Sequence, residues 1–244
     1  MNFRAMLPQM QQISPQQRGP GDPIHSRDAI FVPSEMGLLA AVSVALKTGR
    51  SIVVKSGDYE LQAPLVVHGK LAVRGEGGPV RVLGTCVLGG AGGHVKGVSF
   101  VGQGDDAVRV ESGTWSFHNC TMACTPSSAR SCSALWVAGG QVSLFGCSIF
   151  GCGEATNGLV GCGDAKLHAD MCQISEARFG AGAADSSLVE LKGCEIFSNR
   201  AAFTAGPRPS GATLRVLDCN VHDNCRAWND KFRPEVIAQR NTGF

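Results

Sequence analysis

Three sets of residues in this 244-residue chain have the types that do chemistry. His168, Asp170, Glu190, Lys192 and Arg215 bring together a base, two carboxylates and two cations, a set suited to proton transfer or to recognition by charge. Five cysteines, Cys120, Cys147, Cys172, Cys194 and Cys219, would bind metal or do redox chemistry as thiolates. Gly102-Gln103-Gly104-Asp105-Asp106 puts two carboxylates side by side in a glycine-rich turn. Which of these can act together depends on the elements that carry them.

Those elements are short. The runs Ile52-Val53-Val54, Leu65-Val66-Val67, Leu71-Ala72-Val73 and Val80-Arg81-Val82-Leu83 are β-branched and separated by Gly, Pro and Asp. No gap is long enough for a helical crossover. From Trp115 onward the strands repeat. Trp115-Ser116-Phe117-His118-Asn119-Cys120-Thr121-Met122 aligns with the segments beginning at Val142, Leu167, Val189 and Leu214. Each reads apolar-x-apolar-x-x-Cys-x-apolar, and the cysteines step by 27, 25, 22 and 25 residues (120→147→172→194→219). Val98 holds the same place one unit earlier. A second strand recurs at Ala107–Val110, Ala134–Val137 and Gly158–Val160. Such a period with alternating apolar residues predicts a three-sided coil of strands, each turn stacked about 4.8 Å from the next. The fold class is therefore all-β, a right-handed parallel β-helix.

Around the coil, residues 1–24 read as a flexible polar leader. Ser34 to Lys47 reads as an amphipathic helix that caps the coil, with Ser34 as N-cap, Gly49 as its stop, and Leu38, Leu39, Val42 and Leu46 on its apolar face. The coil domain is expected over residues 25–225, with a polar tail over 226–244. Ala202 to Ala212 is expected to be a loop.

The coil decides what the three sets can do. The cysteines fall at one inward position per turn, so they read as a stacked column of small buried side chains. Cys120 and Cys124 have a zinc-like spacing, but the ladder members lie whole turns apart. The five charged residues fall at outward positions of three consecutive turns and form one face. Two carboxylates are few for a calcium site. The single Tyr and the scattered Trp115, Trp136 and Trp228 suggest no sugar-stacking row. His25, His94 and His222 stand alone.

Residues 34–225 resemble the pectate-lyase-like right-handed β-helix superfamily. The likeness rests on the helix, the strand ending Lys55-Ser56-Gly57-Asp58-Tyr59, and Leu71-Ala72-Val73-Arg74-Gly75-Glu76-Gly77. Turns such as Cys194-Glu195-Ile196-Phe197-Ser198-Asn199 resemble the β-helix repeats of F-box-type substrate receptors. Gly104-Asp105-Asp106 resembles the Gly-Asp-Asp motif of polygalacturonases. The Asn-Thr-Asp, Gly-His-Gly and Arg-Ile-Lys that accompany it in that family have no counterpart here, so it reads as a polar turn.

Composition narrows the rest. A net charge of +2 gives no reason to expect nucleic acid or an anionic membrane surface as partner. No apolar run is long enough to span a bilayer. Eleven cysteines without a secretory signal suggest reduced thiols in the cytoplasm or nucleus. The expectation is thus a non-catalytic protein-binding or scaffolding β-helix, or a structural subunit of a larger assembly, without cofactor or metal. The face of His168, Asp170, Glu190, Lys192 and Arg215 would meet a protein partner. The alternative is a polysaccharide lyase or glycoside hydrolase acting on a uronate-type polymer.

Overall fold

The computed structural model describes residues 29–126, 131–205, 211–228 and 235–243. The chain is a right-handed parallel β-helix of about nine turns with one short helix near its start. The expected leader lies outside the described residues.

Each turn contributes to three parallel sheets. The first sheet stacks Thr114–His118, Gln141–Phe145, Lys166–Asp170, Leu188–Lys192 and Thr213–Leu217. The second runs through Ser99–Gln103, Thr121–Thr125, Glu195–Phe197 and Asn220–His222. The third includes Val108–Val110, Cys132–Val137 and Ala201–Ala205. Long strands such as Ser148–Gly161 and Gln173–Ala183 bend round a corner and serve both the second and the third sheet. Alternation sends every second residue inward, where like stacks on like. Phe100, Met122, Ile149, Ile174, Ile196 and Val221 form one such column, all buried. Each such side chain contributes about 1.5–3 kcal/mol by leaving water.

The cysteine-centred repeat is the corner between the first and second sheets. One residue in the left-handed region turns the chain there: Asn119, Gly146, Met171, Gly193 and Asp218 have φ of 50°, 60°, 55°, 59° and 55°. The cysteine that follows points inward, and its thiol donates to a carbonyl of its own strand before the corner and to one on the rung beside it. Cys194 Sγ lies 3.3 Å from Ala169 O and 3.4 Å from Lys192 O. Cys219 Sγ lies 3.5 Å from Leu191 O and 3.3 Å from Leu217 O. The ladder is therefore a column of hydrogen-bond donors as well as apolar filling. Hydrogen bonds to the neighbouring thiols of Cys147 and Cys194, and then burial, push Cys172 far above the usual thiol range. All eleven cysteines are free thiols.

The corner between the second and third sheets uses the same device with asparagine. Ser198 and Asp223 take the left-handed turn, and Asn199 and Asn224 follow. Asn199 Nδ2 donates to Ile174 O and Phe197 O at 3.1 and 2.9 Å, and its Oδ1 accepts from Ala177 N at 3.0 Å. At the far end of the cysteine column Asn241 takes over, with Nδ2 2.8 Å from Val216 O.

Several boundaries differ from expectation. The helix spans Leu38–Thr48, and Ser34 does not cap it. A turn held by Glu35 N to Phe31 O redirects the chain first, so Gly37 precedes the helix with no side-chain cap bond. The buried stripe is Leu38, Ala41, Val42 and Ala45, which leaves Leu39 55% exposed. A strand, Ala29–Val32, forms a rung before the helix. The coil also runs past residue 225: Glu235–Gln239 pairs with Thr213–Leu217 and adds a further rung. Part of the expected loop after Ala202 is the strand Ala201–Ala205, with Phe203 fully buried.

Candidate functional site

The five charged residues do share one face of the first sheet. His168, Glu190 and Arg215 are register partners, as are Asp170 and Lys192. Glu190 sits between an imidazole and a guanidinium: His168 Nδ1 lies 3.3 Å from its Oε1, and an Arg215 terminal nitrogen lies 3.4 Å from its Oε2. The carboxylate is thus engaged on both sides. This part of the sheet is flat and its charges compensate one another.

Asp105 and Asp106 lie in the turn between Ser99–Gln103 and Val108–Val110. Asp105 Oδ1 accepts from the Asp106 amide at 2.9 Å, and Asp106 Oδ1 accepts from the Ser133 amide at 2.7 Å. Burial holds the Asp106 carboxyl above its ordinary range. Each carboxylate supports a neighbouring backbone amide. Among the described residues no group of three or more His, Cys, Asp and Glu is placed to hold a metal ion.

Concavity is found on the third sheet. A cleft of about 250 Å³ opens on its outer side, lined among others by Trp136, Asn157, Arg178, Phe179 and Thr204. Its floor follows from the register. Trp136, Val160, Gly182 and Thr204 occupy one outward file on four successive turns. Gly182 has no left-handed φ, so the backbone there does not need glycine. A Cβ at that position would meet Thr204 Cγ2 at 2.9 Å and Val160 Cγ2 at 3.7 Å. Glycine therefore lets the Thr204 and Val160 side chains close over this rung, which adds no side chain of its own to the floor. Beside it, Asn157 and Phe179 are register partners in the neighbouring part of the sheet, and the Arg178 guanidinium lies 4.9 Å from the centre of the Phe179 ring.

The lining combines two aromatic faces, one cation, an amide and the hydroxyls of Ser131 and Thr204. Aromatic faces take the apolar side of a flat ring, and a guanidinium takes a carboxylate through paired donors. Sequence reasoning missed this site. Of the three tryptophans, Trp115 is fully buried and Trp228 packs on Phe203 at 4.9 Å, whereas Trp136 alone reaches the cleft. The signal was present in Ala134-Leu135-Trp136-Val137: with Leu135 and Val137 inward, Trp136 must point out.

No family model matches the chain, and no curated protein matches it by sequence. Solved structures do resemble it. Pectate lyase Pel9A is 15% identical with a TM-score of 0.64, over 78% of this chain and 58% of that one. Pectin methylesterase PemA from Erwinia chrysanthemi is 11% identical with a TM-score of 0.62, over 88% of this chain and 89% of that one. The chain thus spans little more than half the length of the lyase. The shared feature is the parallel β-helix. Neither protein is an F-box-type receptor. The expectation of a chain that is not an enzyme is corrected here, since both solved neighbours are enzymes. That expectation leaned on incomplete catalytic motifs, and at 11–15% identity the coil persists while motifs change.

Proposed function

We propose that this chain acts on an acidic polysaccharide and takes one uronate unit into the cleft of the third sheet. The observation that carries the reading is the grouping of Trp136 and Phe179 with Arg178 around the Gly182 rung of the cleft. A uronate sugar has an apolar ring face and one carboxylate, which are the two features that this lining matches. Of the reactions on such polymers, elimination suits the lining better than hydrolysis. Glycoside hydrolysis commonly uses two carboxylates flanking the bond, and the described residues of the lining include none. In β-elimination the hydrogen beside the carboxylate leaves as a proton to a solvent hydroxide, a C4–C5 double bond forms, and the glycosidic oxygen departs and takes a proton from water. A cation on the carboxylate favours that loss by stabilising the charge that develops, and Arg178 is placed to supply it.

The test is incubation with polygalacturonate while following the ultraviolet absorbance of the unsaturated product, together with calorimetric titration of trigalacturonate. Trp136→Ala should weaken trisaccharide binding by about 30-fold, the scale of losing a buried aromatic anchor. Arg178→Gln should weaken it too, whereas neutral oligosaccharides should bind poorly to both forms. Trisaccharide binding that survives Trp136→Ala would remove the basis for this site.

A further inference from the structure

The first sheet is not uniform along its length. Towards the C-terminal end its charges compensate, with Glu190 between His168 and Arg215. Towards the N-terminal end they do not. Arg74, Lys96, His118 and Phe145 form one outward file, and His94, Ser116 and Ser143 form the next. The strand stretches that carry these residues after Arg74, over residues 92–96, 114–118 and 141–145, contain no Asp or Glu at all. The His94 and His118 rings lie 4.8 Å apart, and His118 is 5.9 Å from the Phe145 ring. His94 Nδ1 is 2.9 Å from Ser116 Oγ. The carboxylate that pairs with Arg74 is Glu76, at 3.6 Å, and Glu76 makes its shorter bond, 2.6 Å, to Lys55. The Arg74 Nε is buried without a hydrogen-bond partner. The result is a strip of cationic and imidazole groups in which only Arg74 has a carboxylate at hand among the described residues, and it shares that one with Lys55.

We infer that this strip, Arg74, Lys96, His94 and His118 with the Ser116 and Ser143 hydroxyls, is a second binding site that anchors a polyanionic polysaccharide outside the cleft. The choice of ligand rests on the proposed function, but the site itself stands on the first sheet alone. Three features select the ligand. The cationic groups recur once per rung, about 4.8 Å apart, close to the repeat of a chain that carries one carboxylate per sugar. The hydroxyls between them match sugar hydroxyls. Phe145, 44% exposed at the end of the strip, offers a ring face.

Proton linkage gives a further signature. Burial, then the neighbouring His118 and Lys96, lower the pKa of His94. The charged and titratable groups around it are Lys96 on its own strand, Arg74 on the strand before and His118 on the strand after. None of them carries a negative charge. A bound anion reverses that balance and favours the imidazolium, so binding takes up a proton and tightens as pH falls from about 7 to about 5.5, where uronate carboxylates stay ionised.

The experiment uses the full chain and four probes: polygalacturonate, trigalacturonate, neutral dextran and duplex DNA. The variants are Lys96→Gln with His118→Gln, and Lys96→Arg, each checked for an unchanged melting temperature. The double variant should bind polygalacturonate about tenfold more weakly. The slope of log affinity against log salt should fall by about 1 for the lost lysine. Trigalacturonate binding should be unchanged, Lys96→Arg should bind the polymer as the native chain does, and dextran should not bind. Polymer affinity unchanged in the double variant would overturn the inference. So would duplex DNA binding as tightly as polygalacturonate with the same losses. If no form of the protein binds trigalacturonate while the polymer effects hold, the cleft reading fails and this one stands.

Discussion

The cleft and the charged face are built on the same coil, from the same kind of outward position, and yet only one is concave. On the face of His168, Asp170, Glu190, Lys192 and Arg215, every rung supplies a long polar side chain. Neighbours reach each other across the strand spacing and pair, as Glu190 does with both His168 and Arg215. Long side chains paired in this way cover the sheet between them, although the Arg215 Nε has no hydrogen-bond partner. In the cleft, one rung supplies nothing. Gly182 lies between Val160 and Thr204, with Trp136 one rung further and Phe179 beside it. Concavity on a solenoid comes from unequal side chains in one file, and charge clusters by themselves do not make it. A ligand that must be desolvated needs the unequal file. A ligand bound by charge from solution can use the flat one.

The comparison assumes that both faces stand on one rigid coil, and the largest expected effect tests that assumption. Asn199 is 1% exposed and bonds to Ile174 O, Phe197 O and the Ala177 amide. Asn199→Ala leaves those groups buried and unpaired, so the fold should lose about 3 kcal/mol. Urea unfolding should stay a single transition with a lower midpoint, because the rungs on either side share the loss. Two separated transitions would show that the rungs carrying the cleft and those nearer the N-terminus fold apart.

A smaller change sharpens the contrast itself. Gly182→Ala adds one methyl to this rung of the cleft without backbone strain, since residue 182 is not in the left-handed region. Thr204 Cγ2, at 2.9 Å from the new Cβ, must shift, and the floor rises. Trigalacturonate should bind about tenfold more weakly, with the melting temperature little changed. Equal binding by the variant would mean that ligand does not rest on this rung.

These two sites also mark how far the sequence can be read. The coil was legible because a corner repeats its chemistry. An apolar pair, one left-handed residue and an inward Cys recur from Trp115 to Val221, and backbone geometry forces that recurrence. The asparagine corner was equally present, in Ser198-Asn199 and Asp223-Asn224, but two copies make a weak period. The charged face could be listed residue by residue, because period-two alternation fixes which side chains point out. The cleft could not be anticipated in the same way. Trp136 and Phe179 lie on different turns, joined by a corner whose length varies, so their distance in sequence says nothing of their distance in space. An absent side chain, Gly182, leaves no chemical mark at all. Leu39 shows the smaller kind of error: helical spacing allows two neighbouring stripes, and packing on the first strands chose the one that begins at Leu38.

The smallest expected effect lies on the charged face. Glu190→Gln removes the carboxylate that His168 and Arg215 share, at 3.3 and 3.4 Å. Three considerations make the cost small. Both distances are at the long end for charge-assisted bonds, which are strongest near 2.7–2.9 Å. The partners keep 40% and 44% of their side-chain surface in water, so solvent already screens them. The glutamine amide oxygen can still accept from Arg215. The loss should be below about 1 kcal/mol, a shift of roughly 2–4 °C or less in melting temperature for a chain of this size. Trigalacturonate binding and the release of unsaturated product should not change, because Glu190 lies on the first sheet and the cleft on the third. A loss of several kcal/mol would make the triad a structural network of the coil. A loss of turnover without a loss of stability would move the chemistry onto the flat face and reverse the contrast between the two regions.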